Sequence, residues 1–305
     1  MNSSYETSEG AREKPNDFPP MFVGGSARSG TNMIVDMIGI HPWISPVYET
    51  NFVLKLIEVL HIKDDLDHED VLREFDSFAY KWSKPLPKIP DSKPDHEHYV
   101  HGEHHINFDT ETFRDITAEF LQDSKGGFSK KRIRDYIRGV FDYHASKDDK
   151  PYWVNKVPRY VNHPDVLLNW FPDMKFIHMV RDGRDSIVSM RKRDCYPDDI
   201  ERLSRRWGGA VSSGIRFGKR HSEHYIEVKY EELVTSPEET LKDVLQKLCG
   251  ETTDKEVSDW VGLIIEQAVD PDPSRIGNGQ KELTESELNT FEEIAGHIMD
   301  HLNYF

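Results

Sequence analysis

Short apolar runs punctuate the chain and alternate with stretches of helical spacing. Met21-Phe22-Val23, Ile44 to Tyr48, Tyr152 to Asn155, Lys175 to Val180 and Tyr225 to Val228 each read as a strand. After the first of these and a Gly/Ser-rich turn, Asn32 to Ile40 sets Met33, Met37 and Ile40 on one helical face, with Asp36 off it. His41-Pro42 ends that helix, because a residue before proline is pushed out of helical geometry. Phe52 to Leu60 is helical again, and beyond Glu231 the chain is mostly helix. Strands alternating with helices predict an α/β fold, a parallel sheet covered on both faces.

Between the second and third strands the pattern changes. From Lys63 to Lys150 it is charged and only locally periodic, with helix candidates near 69–83, 110–123 and 129–146 and a Pro-rich loop, KPLPKIPDSKP. Residues 61–150 therefore read as a helical insertion in a single domain spanning 21–305. Residues 1–20 have neither the basic start nor the apolar middle of a signal peptide and read as a disordered arm.

Composition narrows the partners. Lys and Arg number 39 against 55 Asp and Glu, a net charge of −16, which argues against nucleic acid, whose phosphates need a basic surface. No apolar run reaches the length of a transmembrane helix, so no membrane partner is expected. Cys195 and Cys249 are too few for a disulfide framework or a zinc cluster, which suits a reduced, cytoplasmic setting. An anionic ligand remains compatible if the few cations gather at one place.

Such a place is visible. GGSARSGTN, Gly24 to Asn32, lies between a strand and a helix, where backbone N–H groups and the helix N-terminus cradle phosphate. Gly25-x4-Gly30 has Walker A spacing, but Thr31 stands at the lysine position and Asn32 at the magnesium-binding hydroxyl position. Magnesium-dependent triphosphate chemistry, as in a P-loop kinase, is thereby disfavoured. Arg28 instead offers a fixed cation inside the loop. The fourth strand runs into Arg181-Asp-Gly-Arg-Asp185 and a helix carrying Ser189, a second anion site at the same sheet edge. Two sites on neighbouring strands suit a ligand phosphorylated at both ends.

GGSARSGTN and FIHMVRDGRDSIVSM together resemble the two phosphosulfate-binding motifs of PAPS-dependent sulfotransferases, most of all the tyrosylprotein sulfotransferases and related bacterial enzymes. The likeness extends through His41-Pro42 and Glu49, and through WVNKVPRY and VKYEEL, but leaves 61–149 unmatched. It implies a P-loop-NTPase-like sheet and 3′-phosphoadenylyl sulfate (PAPS) as donor co-substrate, with no metal required. It places the 5′-phosphosulfate on Arg28, Ser29, Gly30, Thr31 and Asn32, and the 3′-phosphate on Arg181 and Ser189. Tyr230, ending the IEVKY strand, joins the 3′-phosphate from the far side. The family usually has a hydroxyl residue where Asn32 stands, and a basic-tryptophan segment near the C-terminus. Here SRIGNGQK replaces that segment, leaving Arg275 and Lys281 as alternatives for its cation.

Sulfuryl transfer is an in-line displacement that needs a base, a positioned acceptor and a stabilised leaving oxygen. Glu49 follows a strand-like segment twenty-one residues beyond Arg28, and the resemblance puts the base there. His41 is the rival base, though a histidine before proline at a helix end is more often a cap. Lys156 leaves the WVNK strand toward the same rim and is expected on the bridging oxygen, together with Arg28. The expected acceptor is a hydroxyl or amine of a small molecule. A peptide tyrosine is the alternative, disfavoured by the lack of a Golgi-type anchor in the sequence. A nucleotide- or metal-binding protein without catalysis is the remaining rival, opposed by the presence of both Glu49 and Lys156. The tract DHEHYVHGEHH, Asp95 to His105, lacks the spacing of a zinc motif and is expected to be a solvated or acceptor-facing loop.

Overall fold

The computed structural model describes residues 18–50, 52–62, 110–122, 129–249, 252–269 and 271–305. Strands β1 (Met21–Gly25), β2 (Ile44–Tyr48), β3 (Tyr152–Lys156), β4 (Lys175–Val180) and β5 (Tyr225–Lys229) form one parallel sheet, ordered β2-β3-β1-β4-β5. All the expected strands are present, three of them extended at the carboxyl end. β1 is central and wholly buried, as its unbroken apolar run requires. Pro46 is tolerated because β2 is an edge strand, where a missing N–H breaks no inner ladder.

Among the described residues, the helices between β1 and β3 are α1 (Thr31–Ile40), α2 (Phe52–Ile62), α3 (Thr110–Gln122) and α4 (Lys130–Ser146). Those that follow are α5 (Pro164–Trp170), α6 (Gly183–Arg191), α7 (Ile200–Arg220), α8 (Tyr230–Thr235), α9 (Pro237–Cys249), α10 (Asp254–Gln267), α11 (Asn278–Glu282) and α12 (Glu285–His301). Alternate β1 side chains feed two cores. Phe22 joins Phe52, Phe141, Trp153 and Tyr160 beneath α2 and α4, whereas Met21 and Val23 join Ile34, Ile38, Val261 and Ile264 beneath α1 and α10.

Two expectations are refined. Ile137, Val140 and Phe141 of α4 lie in the first core, so this part of the 61–150 segment covers the sheet and belongs to the crossover that two parallel strands require. Phe18 to Pro20, placed in the arm by the sequence pattern, pack onto the domain. Phe18 stacks on Tyr152 with ring centroids 4.3 Å apart, and the Lys175 N–H donates to the Pro20 carbonyl at 2.9 Å. The helix candidate near 69–83 and the His-rich tract at 95–105 lie outside the described residues. Among those described, no helix is long and apolar enough to cross a membrane.

Helix α7 approaches β4 at Gly214, where a Cβ would sit 2.3 Å from the His178 ring. That imidazole is fully buried, shares a 2.7 Å hydrogen bond between Nδ1 and the Tyr225 hydroxyl, and is held neutral by burial, with its pKa pushed down to about 3. Gly214→Ala should therefore cost about 1–3 kcal/mol through overpacking. Gly262→Ala, in α10 with nothing within 4 Å of its Cβ, should gain about 0.5–1 kcal/mol from helix propensity. Urea denaturation of both variants checks the pair, and equal midpoints would overturn the packing argument.

Candidate active site

Every strand delivers a polar group from its carboxyl end: the 24–32 loop after β1, Glu49 after β2, Lys156 at the end of β3, Arg181 after β4 and Tyr230 after β5. The chain leaves β1 toward β2 and leaves its neighbour β4 toward β5, so the connections diverge and open a crevice at the carboxyl ends of these two strands.

The loop after β1 is shaped by two left-handed residues, Arg28 at φ 66° and Gly30 at φ 91°. A Cβ on Gly30 would also lie 2.7 Å from the Tyr230 ring, so glycine is required twice over. Helix α1 then starts at Thr31 with no side-chain cap and no acidic residue in its first turn. Its first N–H groups have no intrahelical acceptor, and Gly30, Thr31 and Asn32 line the cleft. The buried hydroxyl of Ser26, which lines the cleft, has no hydrogen-bond partner among the described residues, whereas Ser29, expected in the cradle, is fully buried with its hydroxyl against Gly25 and does not line the cleft. Amides, hydroxyls and a helix N-terminus converging in this way form the donor set of an anion cradle.

Arg181 ties this cradle to the rest of the site. Its guanidinium donates to the Arg28 carbonyl at 3.2 Å and the Arg275 carbonyl at 2.7 Å, lies 4.2 Å from the Tyr230 ring centroid, and faces Asp185 at 3.7 Å. Arg28 in turn donates through Nε to Ser189 Oγ at 3.1 Å, joining the two motifs directly. Asp185 accepts from the Gly277 and Gly279 N–H groups at 2.9 and 2.6 Å, which clasps the C-terminal segment against α6. Of the two alternatives for the C-terminal cation, Arg275 lines the cleft, paired with Asp272 at 3.2 Å, and Lys281 does not line it.

Glu49 stands on the opposite wall. It is left-handed at φ 42°, and its N–H continues the β2–β3 ladder to the Lys156 carbonyl at 2.7 Å. Its carboxylate, about half exposed at 48%, accepts from Lys156 Nζ at 2.6 Å. Lys156 is completely buried and is not among the residues that line the cleft, and its ammonium is paired with the Glu49 carboxylate. Burial pulls the Lys156 pKa down, and the Glu49 charge is the main influence opposing that shift.

The cleft encloses about 1020 Å³. Eight arginine and lysine residues and three carboxylate residues line it, an inversion of the sign of the chain as a whole. His41 is not among the lining residues. It caps α1, accepting the Trp43 N–H at Nδ1, and packs against Trp43 and Trp260, while burial pushes its pKa down to about 4. Sequence reasoning missed Asp185, although its i, i+4 spacing from Arg181 was a usable signal. It also missed Arg159, although that residue lies within the WVNKVPRY stretch, and Tyr196, Arg205 and Arg206, which carry no motif. Among the described residues, no group of three or more His, Cys, Asp or Glu side chains is placed to hold a metal ion.

The Glu49–Lys156 pair makes stability depend on pH in a defined direction. Lys156 titrates lower folded than unfolded, so between the two pKa values the unfolded chain binds more protons and stability rises with pH. Glu49→Gln removes the opposing charge and lowers the folded value further. The variant should lose about 1–3 kcal/mol at neutral pH, less than a fully buried pair because Glu49 is half exposed. Part of that loss should be recovered at pH values near the free-lysine pKa. Urea titrations across this range check it, and a loss independent of pH would refute it.

The sequence model of the sulfotransferase family matches residues 19–254, which include all five strands, Glu49, Lys156 and both anion-binding motifs. Protein-tyrosine sulfotransferase 2 of Gallus gallus is 23% identical over 241 residues, covering 76% of this chain and 51% of its own length. Protein-tyrosine sulfotransferase 1 of Danio rerio is 24% identical over 237 residues, covering 76% and 53%. The chain thus spans about half the length of these curated relatives. Among solved structures, the sulfotransferase domain from the Synechococcus PCC 7002 olefin synthase aligns over 92% of this chain and 97% of its own, with TM-score 0.52 and 17% identity. The sulfotransferase domain from the curacin biosynthetic pathway aligns over 90% and 96%, with TM-score 0.51 and 13% identity. These two share the fold, a P-loop-NTPase-like parallel sheet flanked by helices. By its sequence match over more than half its length, the chain belongs to the sulfotransferase family.

Proposed function

We propose that the chain is an enzyme that transfers the sulfuryl group of PAPS to a hydroxyl or amine of a small-molecule acceptor. The observation that carries this reading is the Arg28–Ser189 bond. It joins an anion cradle after β1 to a second anion-binding element after β4, with Glu49 on the facing wall of the same cleft. Two linked anion sites match a donor carrying a 5′-phosphosulfate and a separate 3′-phosphate. The buried hydroxyl of Ser26, without a partner among the described residues, and the open amides of α1 fit the first group. Arg181, Ser189 and Tyr230 fit the second, and Arg275 is the cation of the C-terminal segment nearest them.

In this reading Glu49 takes the proton of the acceptor as its oxygen or nitrogen bonds to sulfur. The bond from sulfur to the bridging oxygen breaks, and the electron pair leaves on the phosphate of adenosine 3′,5′-bisphosphate. Arg28 neutralises charge on that side. Lys156 holds the Glu49 carboxylate in place, a positioning role in place of the direct contact expected from sequence. A P-loop kinase is opposed by Thr31 and Asn32 at the positions of the Walker lysine and hydroxyl. The names of the relatives favour a second reading, in which the acceptor hydroxyl belongs to a peptide tyrosine. Donor, base and chemistry would be the same.

Transfer of labelled sulfate from PAPS to a panel of acceptors tests the reading. Inhibition should come from adenosine 3′,5′-bisphosphate and not from ATP, and the reverse order would favour the kinase. Ser189→Ala should weaken adenosine 3′,5′-bisphosphate by about tenfold or more while leaving adenosine 5′-phosphate nearly unchanged, since a hydrogen bond to a charged group contributes about 1.5–3 kcal/mol. Calorimetry with both nucleotides decides it, and equal weakening removes the 3′-phosphate assignment. Glu49→Gln should lower turnover about 10²–10⁴-fold, and an acceptor already ionised at assay pH should restore it selectively. Parent-like turnover of a neutral alcohol by this variant would show that Glu49 is not the base.

A further inference from the structure

Arg181 and Tyr230 leave the carboxyl ends of two neighbouring strands, β4 and β5, and something has to fix the distance between them. The strand ladder stops short of both, at the Val180–Lys229 pair. Two residues further on the chains are joined again, where the Asp182 N–H donates to Glu231 Oε1 at 3.0 Å. Neither Asp182 nor Glu231 lines the cleft. Their bond stands outside it and carries the strand spacing past the sheet, one residue beyond Arg181 and one beyond Tyr230.

The second oxygen of Glu231 is held from a distant part of the chain. Tyr304, beyond α12, donates its hydroxyl to Glu231 Oε2 at 2.7 Å. Asn303, left-handed at φ 57°, turns the chain back after the helix, and the Tyr304 N–H closes that turn on the Met299 carbonyl at 3.0 Å. The Tyr304 carbonyl accepts from the Arg184 guanidinium at 3.2 Å, and the same guanidinium pairs with the Asp182 carboxylate at 2.7 Å. Asp182 is thus gripped twice, by its backbone through Glu231 and by its side chain through Arg184, and both grips run on to Tyr304. Asp182 in turn caps α6 by accepting the Arg184 N–H at 2.8 Å, and α6 carries Asp185 and Ser189.

A half-buried carboxylate keeps one orientation when hydrogen bonds hold both of its oxygens. Burial raises the Glu231 pKa, the nearby Asp182 carboxylate adds to that, and the Tyr304 hydroxyl is the strongest influence opposing them. Loss of the hydroxyl therefore frees Glu231 to turn away from Asp182, and the spacing of Arg181 and Tyr230 loosens with it. The cradle after β1 is shaped by its own left-handed backbone and by α1, so a ligand confined to the cradle senses this far less.

We propose that Tyr304 is a positioning residue for the donor: acting through Glu231, it fixes Asp182 and so the separation of Arg181 and Tyr230 on which the 3′-phosphate sits. This rests on the 3′-phosphate assignment given above.

The test compares adenosine 3′,5′-bisphosphate with adenosine 5′-phosphate on the full chain by calorimetry. The parent should bind the bisphosphate about tenfold or more the tighter, as a hydrogen bond to a charged group provides. Tyr304→Phe keeps the ring and the backbone carbonyl and loses only the hydroxyl. It should weaken the bisphosphate about three- to tenfold, the worth of one hydrogen bond, and leave the 5′-phosphate nearly unchanged. Added to Glu231→Ala, the same substitution should have little further effect, because the two residues act in series. Gly214→Ala, destabilised in the core away from this network, should lower the urea midpoint without changing the ratio of the two affinities.

Equal binding of the two nucleotides by the parent would overturn the 3′-phosphate assignment itself. With the parent selective, a Tyr304→Phe variant that weakens both nucleotides alike, or neither, would overturn the positioning role alone. So would an undiminished effect in the Glu231→Ala background, or the same change of ratio in Gly214→Ala.

Discussion

The site depends on one buried guanidinium. Arg181 is only 7% exposed, and a charge so far from water persists only where hydrogen bonds and an opposing charge compensate its lost hydration. Those partners come from four separate places in the chain: the Arg28 carbonyl, the Arg275 carbonyl, the Tyr230 ring and Asp185. Each is thereby drawn to the carboxyl end of β4. Lysine would fit poorly here, because a point charge lacks the planar fork that reaches two carbonyls and stacks on a ring at once. The carbonyl of Arg28 is held while its side chain crosses to Ser189, which stabilises a left-handed residue inside the phosphate-cradling loop.

A second ion pair governs the other wall. Lys156 is buried at the end of β3 with its charge on Glu49, and Glu49 reaches it only from a left-handed backbone. The two strands β2 and β3 are neighbours, so the pair extends their hydrogen-bonded register by one step beyond the sheet. The result is a carboxylate fixed in direction and half open to the cleft. The donor wall, by contrast, is built from cations and open amides. Opposite charge character on facing walls is what a proton-taking displacement requires, with a base on one side and a neutralised leaving group on the other.

The relatives and the fold neighbours extend this picture without narrowing it to an acceptor. Identity of 23–24% to the protein-tyrosine sulfotransferases and TM-scores of 0.51–0.52 to bacterial sulfotransferase domains agree on family and sheet. Cleft-lining residues outside the donor motifs lie on the turn after β3, on α7 and on the loop before it. Loops held by a rigid sheet are where substrate choice varies while the chemistry stays.

The strands and the donor loop were readable from the sequence because local chemistry dictates them. An unbroken apolar run such as MFV satisfies a strand buried on both faces, and GGSARSGTN admits the left-handed and close-packed backbone that a phosphate-cradling turn needs. Pairing is another matter. That Lys156 is paired with Glu49, that Arg275 and not Lys281 meets the cleft, and that His41 is a cap against Trp260 follow from contacts between residues far apart in the chain. So does the presence of Arg159, Tyr196 and Arg206 among the residues that line the cleft. Burial and partner identity set the charge and reach of each of these side chains. Both come into being only when the sheet closes, so only the tertiary structure decides them.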